Sequence, residues 1–250
     1  MSHLTIEKIN EVYLKITTEP HVDHELADRF SFEVPNRKFM PQYRSKYWDG
    51  HVHLFSLKTK RIYCGLLDKI IAFCENAGYT YSFSENKFYG MPFEVNEFVN
   101  KEGVKDYMKS LSPEITPRDY QVDGVYDALR YNRKLLISPT GSGKSFMIYA
   151  VVRYHVAKEN KILLVVPTTS LVEQMYKDFS SYGWDVENHC HRIYAGRERI
   201  NTNEVTITTW QSVYQLDKKF FEEYDVVIGD EAHLFKSRSL VSLMDKLADA

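Results

Sequence analysis

Residues able to hold and split a nucleoside triphosphate stand at two places in the chain: Pro139-Thr140-Gly141-Ser142-Gly143-Lys144-Ser145 and Asp230-Glu231-Ala232-His233. The first follows the apolar run Leu135-Leu136-Ile137 and precedes Phe146-Met147-Ile148-Tyr149-Ala150-Val151-Val152, a pattern that reads as a buried strand, a tight glycine turn and a helix. Gly141 and Gly143, with Thr140 and Ser142 between and beside them, allow backbone angles closed to other residues and bring N–H groups close to phosphate oxygens. The helix that follows aims its positive end at the same charge. Lys144 adds a mobile cation for the β- and γ-phosphates, and Ser145 a hydroxyl for Mg²⁺. Asp230, after the apolar strand Val226-Val227-Ile228, supplies the acidic group at the metal. Glu231 is then the natural group to orient or deprotonate the attacking water.

A common form of this loop has glycine where the present chain has Ser138, and a loop of this kind by itself serves kinases and transport ATPases as well. With the Asp-Glu-Ala-His box added, the set resembles the first motor domain of superfamily 2 helicases, whose loop begins with Ala or Pro and two variable residues before Gly-x-Gly-Lys-Ser/Thr. Ser138 to Ser145 resembles that form, with Ser138 at its first position. In the same order as in that family, Arg118-Asp119-Tyr120-Gln121 resembles the glutamine motif. The resemblance implies that Arg118 and Gln121 recognise adenine, an amide being both donor and acceptor for the purine edge. ATP with Mg²⁺ is the cofactor it implies.

The strand Ile162-Leu163-Leu164-Val165-Val166 running into Pro167-Thr168-Thr169-Ser170-Leu171-Val172-Glu173-Gln174 resembles motif Ia. It implies Thr168, Thr169 and Gln174 at a nucleic-acid phosphate. Val205-Thr206-Ile207-Thr208-Thr209-Trp210-Gln211-Ser212 resembles the later strand and turn on the same nucleic-acid strand, and implies a contact from Thr209. His233 is implied to couple nucleotide state to nucleic acid.

The front of the chain narrows the resemblance to a branch of the superfamily found in T-even-type phages, which remodels branched DNA and RNA–DNA hybrids in recombination, repair and replication. Phe30-Ser31-Phe32-Glu33, Tyr43-Arg44, Trp48-Asp49-Gly50, Gly65-Leu66-Leu67 and Phe73-Cys74-Glu75-Asn76-Ala77-Gly78-Tyr79 carry it. No motif III, second motor domain or arginine finger follows Ala250, so the expectation is a truncated motor: an ATP-dependent helicase portion that binds nucleotide and DNA, hydrolyses poorly and does not unwind processively by itself. Open alternatives are a restriction-type translocase motor, an RNA helicase motor and a non-enzymatic DNA-binding fragment.

The elements that must position these groups differ along the chain. Before Leu111-Ser112-Pro113-Glu114-Ile115-Thr116-Pro117, which reads as a linker, short strands at Glu11–Ile16, His51–Phe55 and Thr80–Phe83 mix with a helix over Leu66–Gly78. After it, strands at Leu135–Ile137, Ile162–Val166, Val205–Thr208 and Val226–Ile228 alternate with helices at Ser145–Lys158 and Ser170–Tyr182. The expected architecture is therefore an α+β accessory domain over residues 1–112, and over residues 113–250 an α/β, RecA-like parallel sheet flanked by helices. Such sheets place ligands at strand C-terminal ends.

A chain of 250 residues with 44% hydrophobic content can fill two cores, and its net charge of −2 excludes a uniformly basic surface. Positive charge is local: Arg37, Lys38, Arg44, Lys46, Lys58, Lys60 and Arg61 face a single acid, Asp49, across that stretch, with Phe39, Tyr43, Tyr47, Trp48 and Phe55 interleaved. Cations can neutralise phosphates and aromatic faces can stack on bases, so this set predicts a domain that recognises duplex or junction DNA; branched or forked duplex, or an RNA–DNA hybrid, is the partner that the resemblance implies. Trp48 before Asp49-Gly50 also suits a hairpin anchor. Cys64, Cys74 and Cys190 lack metal-ligand spacing and read as buried thiols. In His189-Cys190-His191, strand alternation sets the cysteine opposite both histidines. No apolar run is long enough to span a bilayer, and no signal core opens the chain. A monomer in the cytoplasm, the host cell's if the chain is phage-encoded, is the expected state.

Overall fold

The computed structural model describes residues 2–92, 95–131, 133–194, 203–234, 243 and 246–247. The chain divides into two compact units, Met1–Glu94 and Val95–Ala250.

The first unit contains β1 (His3–Lys8), β2 (Tyr13–Thr17), α1 (Pro20–Arg29), β3 (Ser31–Glu33), α2 (Pro41–Arg44), β4 (His51–His53), β5 (Phe55–Ser56), β6 (Arg61–Tyr63), α3 (Leu67–Ala77) and β7 (Thr80–Ser84). Its main sheet has the order β5-β6-β2-β1-β7 among the described residues. Strand alternation sends Leu4, Ile6, Leu14 and Ile16 to one face, where they are fully buried with Val22 and Leu26 of α1 and Ile70 and Cys74 of α3. Asn10 shapes the β1–β2 turn, its Oδ1 accepting from the N–H groups of Val12 and Tyr13 at 2.9 and 2.8 Å. The strand expected over His51–Phe55 is two strands in different sheets. β4 pairs with β3 in a separate ribbon, Phe32 opposite Val52, whereas β5 pairs with β6. The break is at Leu54, whose N–H still bonds Phe30 O, after which Phe55 turns into the core.

The second unit contains α4 (Lys101–Leu111), α5 (Asp119–Arg130), α6 (Lys144–Val156), β8 (Ile162–Val166), α7 (Thr169–Ser181), α8 (Val186–His189), β9 (Cys190–Ile193), β10 (Val205–Thr209), α9 (Trp210–Val213), α10 (Lys218–Phe221) and β11 (Val226–Gly229). The strands form a parallel sheet of order β11-β8-β10-β9. Every residue of β8 and β10 is buried, as a parallel sheet covered on both faces requires. The fold is a RecA-like α/β lobe. α4 belongs to it, because Val104 and Met108 bury against the same core as Val122, Val125 and Met147. The stretch Leu111–Pro117 thus joins two helices within one unit, and the division by contact falls at residue 94 rather than 112.

One expected strand is absent. Leu135–Ile137 lies outside the sheet, with Leu135 70% and Ile137 94% exposed. An apolar run becomes a strand only where a neighbouring edge accepts its N–H and C=O groups. Among the described residues no strand pairs with this run; β11, at the end of the sheet, is bonded to β8 alone.

Candidate nucleotide site and nucleic-acid interface

The glycine turn forms as its sequence requires. Gly141 and Gly143 both have φ of 79°, the left-handed region that a side chain resists, and Gly143 is the N-cap of α6. Ser142, almost fully buried, hydrogen-bonds through its hydroxyl to that of Ser138. The loop from Ser138 to Ser142 lines a cleft of about 470 Å³ together with Arg118, Tyr120, Leu136 and Met147. Thr140 is among these lining residues, and Ser145 sits half-buried in the first turn of α6.

Lys144 and the acidic box meet across the fold. The Lys144 Nζ lies 2.7 Å from Asp230 Oδ1 and 2.6 Å from Glu231 Oε1. Burial acts to lower the Lys144 pKa, but the two carboxylates override it through hydrogen bonds and charge, and the net shift is upward. Asp230, 6% exposed at the end of β11, also accepts the Glu231 N–H at 2.8 Å. Glu231 takes a left-handed φ of 54°. Ala232–Leu234 form a short 3-10 turn, and the side chain of His233 lies outside the described residues.

Gln121 differs from an adenine reader with a free edge. Its Oε1 accepts the Arg118 N–H at 2.9 Å, closing the first turn of α5, and its Nε2 donates to Ser142 O at 2.8 Å. The side chain is buried and is not part of the cleft lining, whereas Arg118 is, its Nη1 donating to Tyr120 Oη. Tyr120 was not singled out from the sequence, though it lies inside the motif that drew attention to its neighbours.

Two further loops follow the C-terminal ends of β8 and β10. Thr168 caps α7, its Oγ1 accepting from Leu171 N–H at 3.3 Å, and Thr169 and Gln174 are exposed. Thr209 is 3% exposed, with its hydroxyl 2.9 Å from that of Ser212, so its side chain is engaged within the protein. Gln211 Nε2 reaches Pro167 O at 3.4 Å, tying one loop to the other.

In the first unit the seven basic candidates separate. Lys38, Arg44, Lys46, Lys58 and Arg61 are exposed. Lys60 instead pairs with Asp23 Oδ2 at 2.6 Å, and that aspartate is almost wholly buried. Arg37 is also internal in its commitments: its Nε is 3.2 Å from Glu33 Oε1, and its guanidinium lies over the Tyr43 ring at 5.3 Å. Trp48 Nε1 donates to His51 O at 2.7 Å, the hairpin anchor that Asp49-Gly50 suggested. Phe39 and Tyr47 are the strongly exposed aromatics of the set, at 80% and 92%. Phe55 is core.

The second unit is thus a RecA-like lobe in which the lysine of a Gly-x-Gly-Lys-Ser loop faces the acidic pair of an Asp-Glu-Ala-His box. The family model described as Type III restriction enzyme, res subunit, matches residues 114–250, and the chain belongs to that family. A second model, DNA helicase UvsW, N-terminal, matches residues 4–84. The chain is 30% identical over 245 residues to the ATP-dependent DNA helicase uvsW of Enterobacteria phage T4, a match covering 94% of this chain and 47% of that protein. It is 26% identical over 137 residues to the DNA 3'-5' translocase XPB2 of Sulfurisphaera tokodaii, covering 55% of this chain and 29% of the relative. The chain therefore spans about half the length, or less, of these curated relatives.

Two crystal structures of the bacteriophage T4 UvsW helicase superpose with TM-scores of 0.82 and 0.83 at 29% identity. Each match covers 99% of this chain, and 89% and 51% of the respective structures. Among the described residues, no helix is long and apolar enough to cross a membrane, and no group of three or more His, Cys, Asp or Glu could hold a metal ion.

Proposed function

We propose that this chain is the nucleotide-binding and DNA-engaging portion of an ATP-dependent DNA helicase that remodels branched DNA or RNA–DNA hybrids. The observation that carries the reading is the convergence of Lys144, Asp230 and Glu231 beside a turn whose two glycines hold the left-handed conformation. Those groups suit Mg²⁺-ATP chemically: backbone N–H groups and an ammonium for the phosphates, a hydroxyl at Ser145 and a carboxylate at Asp230 for the metal. Bound there, Mg²⁺-ATP supplies the phosphoryl group to be transferred and a metal charge that offsets the charge developing on its oxygens. Lys144 leaves its carboxylates for the phosphates. Glu231 is then the carboxylate that takes a proton from water. Turnover by this chain alone is slow in this reading, because charge building on the phosphoryl oxygens calls for a further cation beyond Lys144.

Engagement of DNA is assigned to two surfaces. Exposed Lys38, Arg44, Lys46, Lys58 and Arg61, with Phe39 and Tyr47, would hold duplex or junction phosphates and offer rings for stacking. Thr168, Thr169 and Gln174 would hold a strand along the motor lobe, with α7 directing its N-terminus at a phosphate. The chain would act in the cytoplasm as a monomer. The family description and the translocase relative favour a second reading, movement along duplex DNA without strand separation; a displaced third strand released without unwinding of a simple fork would identify it.

The test is calorimetric titration of Mg²⁺-ATP into the chain and into Lys144→Ala, repeated with forked DNA present. Binding confined to the wild type supports the proposal. Equal binding by the variant would place the nucleotide away from Lys144 and overturn the site; no nucleotide bound at all, with DNA affinity indifferent to ATP, would leave only a DNA-binding module.

A further inference from the structure

The Ser142 carbonyl accepts two hydrogen bonds from side chains of α5, from Tyr120 Oη at 2.9 Å and from Gln121 Nε2 at 2.8 Å. A carbonyl oxygen has two lone pairs, so this pairing occupies both. The Ser142–Gly143 peptide is planar and trans, which sets its C=O and N–H on opposite sides. Holding the carbonyl back against α5 therefore turns the Gly143 N–H the other way, toward the mouth of the loop. From this geometry we infer that Tyr120 and Gln121 are positioning residues for the triphosphate: together they orient the Gly143 amide. The inference rests on the reading of the loop as a nucleotide site.

Three further features support it. The Gln121 amide is anchored at both ends, Oε1 accepting Arg118 N–H and Nε2 donating to Ser142 O; flipping it would oppose donor to donor and acceptor to acceptor. Contact with Gly143 is close enough that a Cβ there would come within 2.3 Å of Gln121 Nε2, so the amide and the peptide it orients cannot move independently. Gln121 is buried and absent from the cleft lining, to which Arg118, Tyr120 and Gly124 contribute. A base lying in the cleft would meet the tyrosine ring and the guanidinium, whereas the Gln121 amide already spends one donor and one acceptor inside the protein. The same Tyr120 hydroxyl also accepts from Arg118 Nη1 at 2.9 Å, linking the cleft wall to the phosphate turn.

The experiment compares the wild type with Tyr120→Phe and Gln121→Glu for binding of Mg²⁺-ATP, Mg²⁺-GTP and inorganic tripolyphosphate, by calorimetry. Tyr120→Phe keeps the ring and loses one clamp. Gln121→Glu keeps the acceptor that closes α5 and replaces the other clamp with a repulsive oxygen. The expected result is a loss of about three- to tenfold for Tyr120→Phe, the worth of one hydrogen bond, larger for Gln121→Glu, and equal for all three ligands. The Gly143 amide resonance should shift in free Tyr120→Phe and respond less to tripolyphosphate. Unequal losses, with ATP weakened and tripolyphosphate untouched, would make these residues base readers and overturn the inference alone. A wild type that binds none of the three ligands overturns the nucleotide reading, and this inference with it.

Discussion

Lys144 and Glu231, 87 positions apart in sequence, form a 2.6 Å ion pair that leaves the phosphate loop's own cation neutralised before any nucleotide arrives. In the proposed function, nucleotide binding is then an exchange of partners, carboxylates for phosphates. Glu231→Gln weakens the competitor while leaving Asp230 in place. It should raise Mg²⁺-ATP affinity several-fold, since a charge-assisted bond at a partly exposed lysine contributes about 1 kcal/mol, and it should abolish hydrolysis. Titration with and without the substitution checks this; an affinity that falls would show that the pair assists binding.

The basic residues of the first unit should divide into two behaviours. Lys60→Ala leaves the buried Asp23 carboxylate without its cation. The cost is about 1–2 kcal/mol, less than for a fully buried pair because Lys60 is partly solvated. The salt dependence of DNA binding should not change. Arg44→Ala with Lys46→Ala should do the opposite, lowering the slope of log affinity against log salt by about 2 while leaving the melting temperature alone. Melting curves and salt titrations on both variants would exchange these assignments if the results came out reversed.

Gly50 has φ of 82°, and a Cβ there would fall 2.2 Å from Arg37 Cδ and 2.9 Å from Tyr43 Cδ2. Backbone strain and overlap together predict a loss of about 2 kcal/mol for Gly50→Ala. Its carbonyl also accepts from Val34 N–H, so amides of the β3–β4 ribbon should exchange faster in hydrogen-exchange experiments while nucleotide binding is retained. Unaltered exchange would mean that the ribbon can refit around a side chain.

His155, half-buried at the end of α6, has its pKa lowered from 6.5 by desolvation first and by the charge of Lys158 second. A base with a lowered folded pKa stays neutral where the unfolded chain already binds a proton. Its stability contribution is therefore complete above pH 6.5 and is lost as pH falls below it, at up to ~1.4 kcal/mol per pH unit. His155→Gln should make the acid limb of a stability-against-pH curve shallower over that range. Parallel limbs in the two proteins would place the titration elsewhere.

Local signals were the legible ones. Gly141, Gly143 and Lys144 are separated by one residue or none, so backbone permissiveness and helix start are decided within a few residues, and β8, β10 and α7 lie within a residue or so of their expected bounds. Leu135–Ile137 looked equally convincing as a strand, but strand formation depends on an edge supplied from elsewhere. Arg37 and Lys60 looked like their basic neighbours, because the partners that occupy them, Glu33, Tyr43 and Asp23, reach them only through folding of the first unit.

The sequence by itself determined the chemistry available: a glycine turn ending in a lysine, an acidic pair after an apolar strand, and a basic and aromatic front segment. These are properties of residue type and short spacing. Tertiary structure alone decided who meets whom. It set Lys144 against Asp230 and Glu231, turned both ends of Gln121 inward to Arg118 and Ser142, and reduced the seven candidate cations to five exposed ones. Such pairings follow from how the chain packs its cores, and packing joins positions that no local pattern relates.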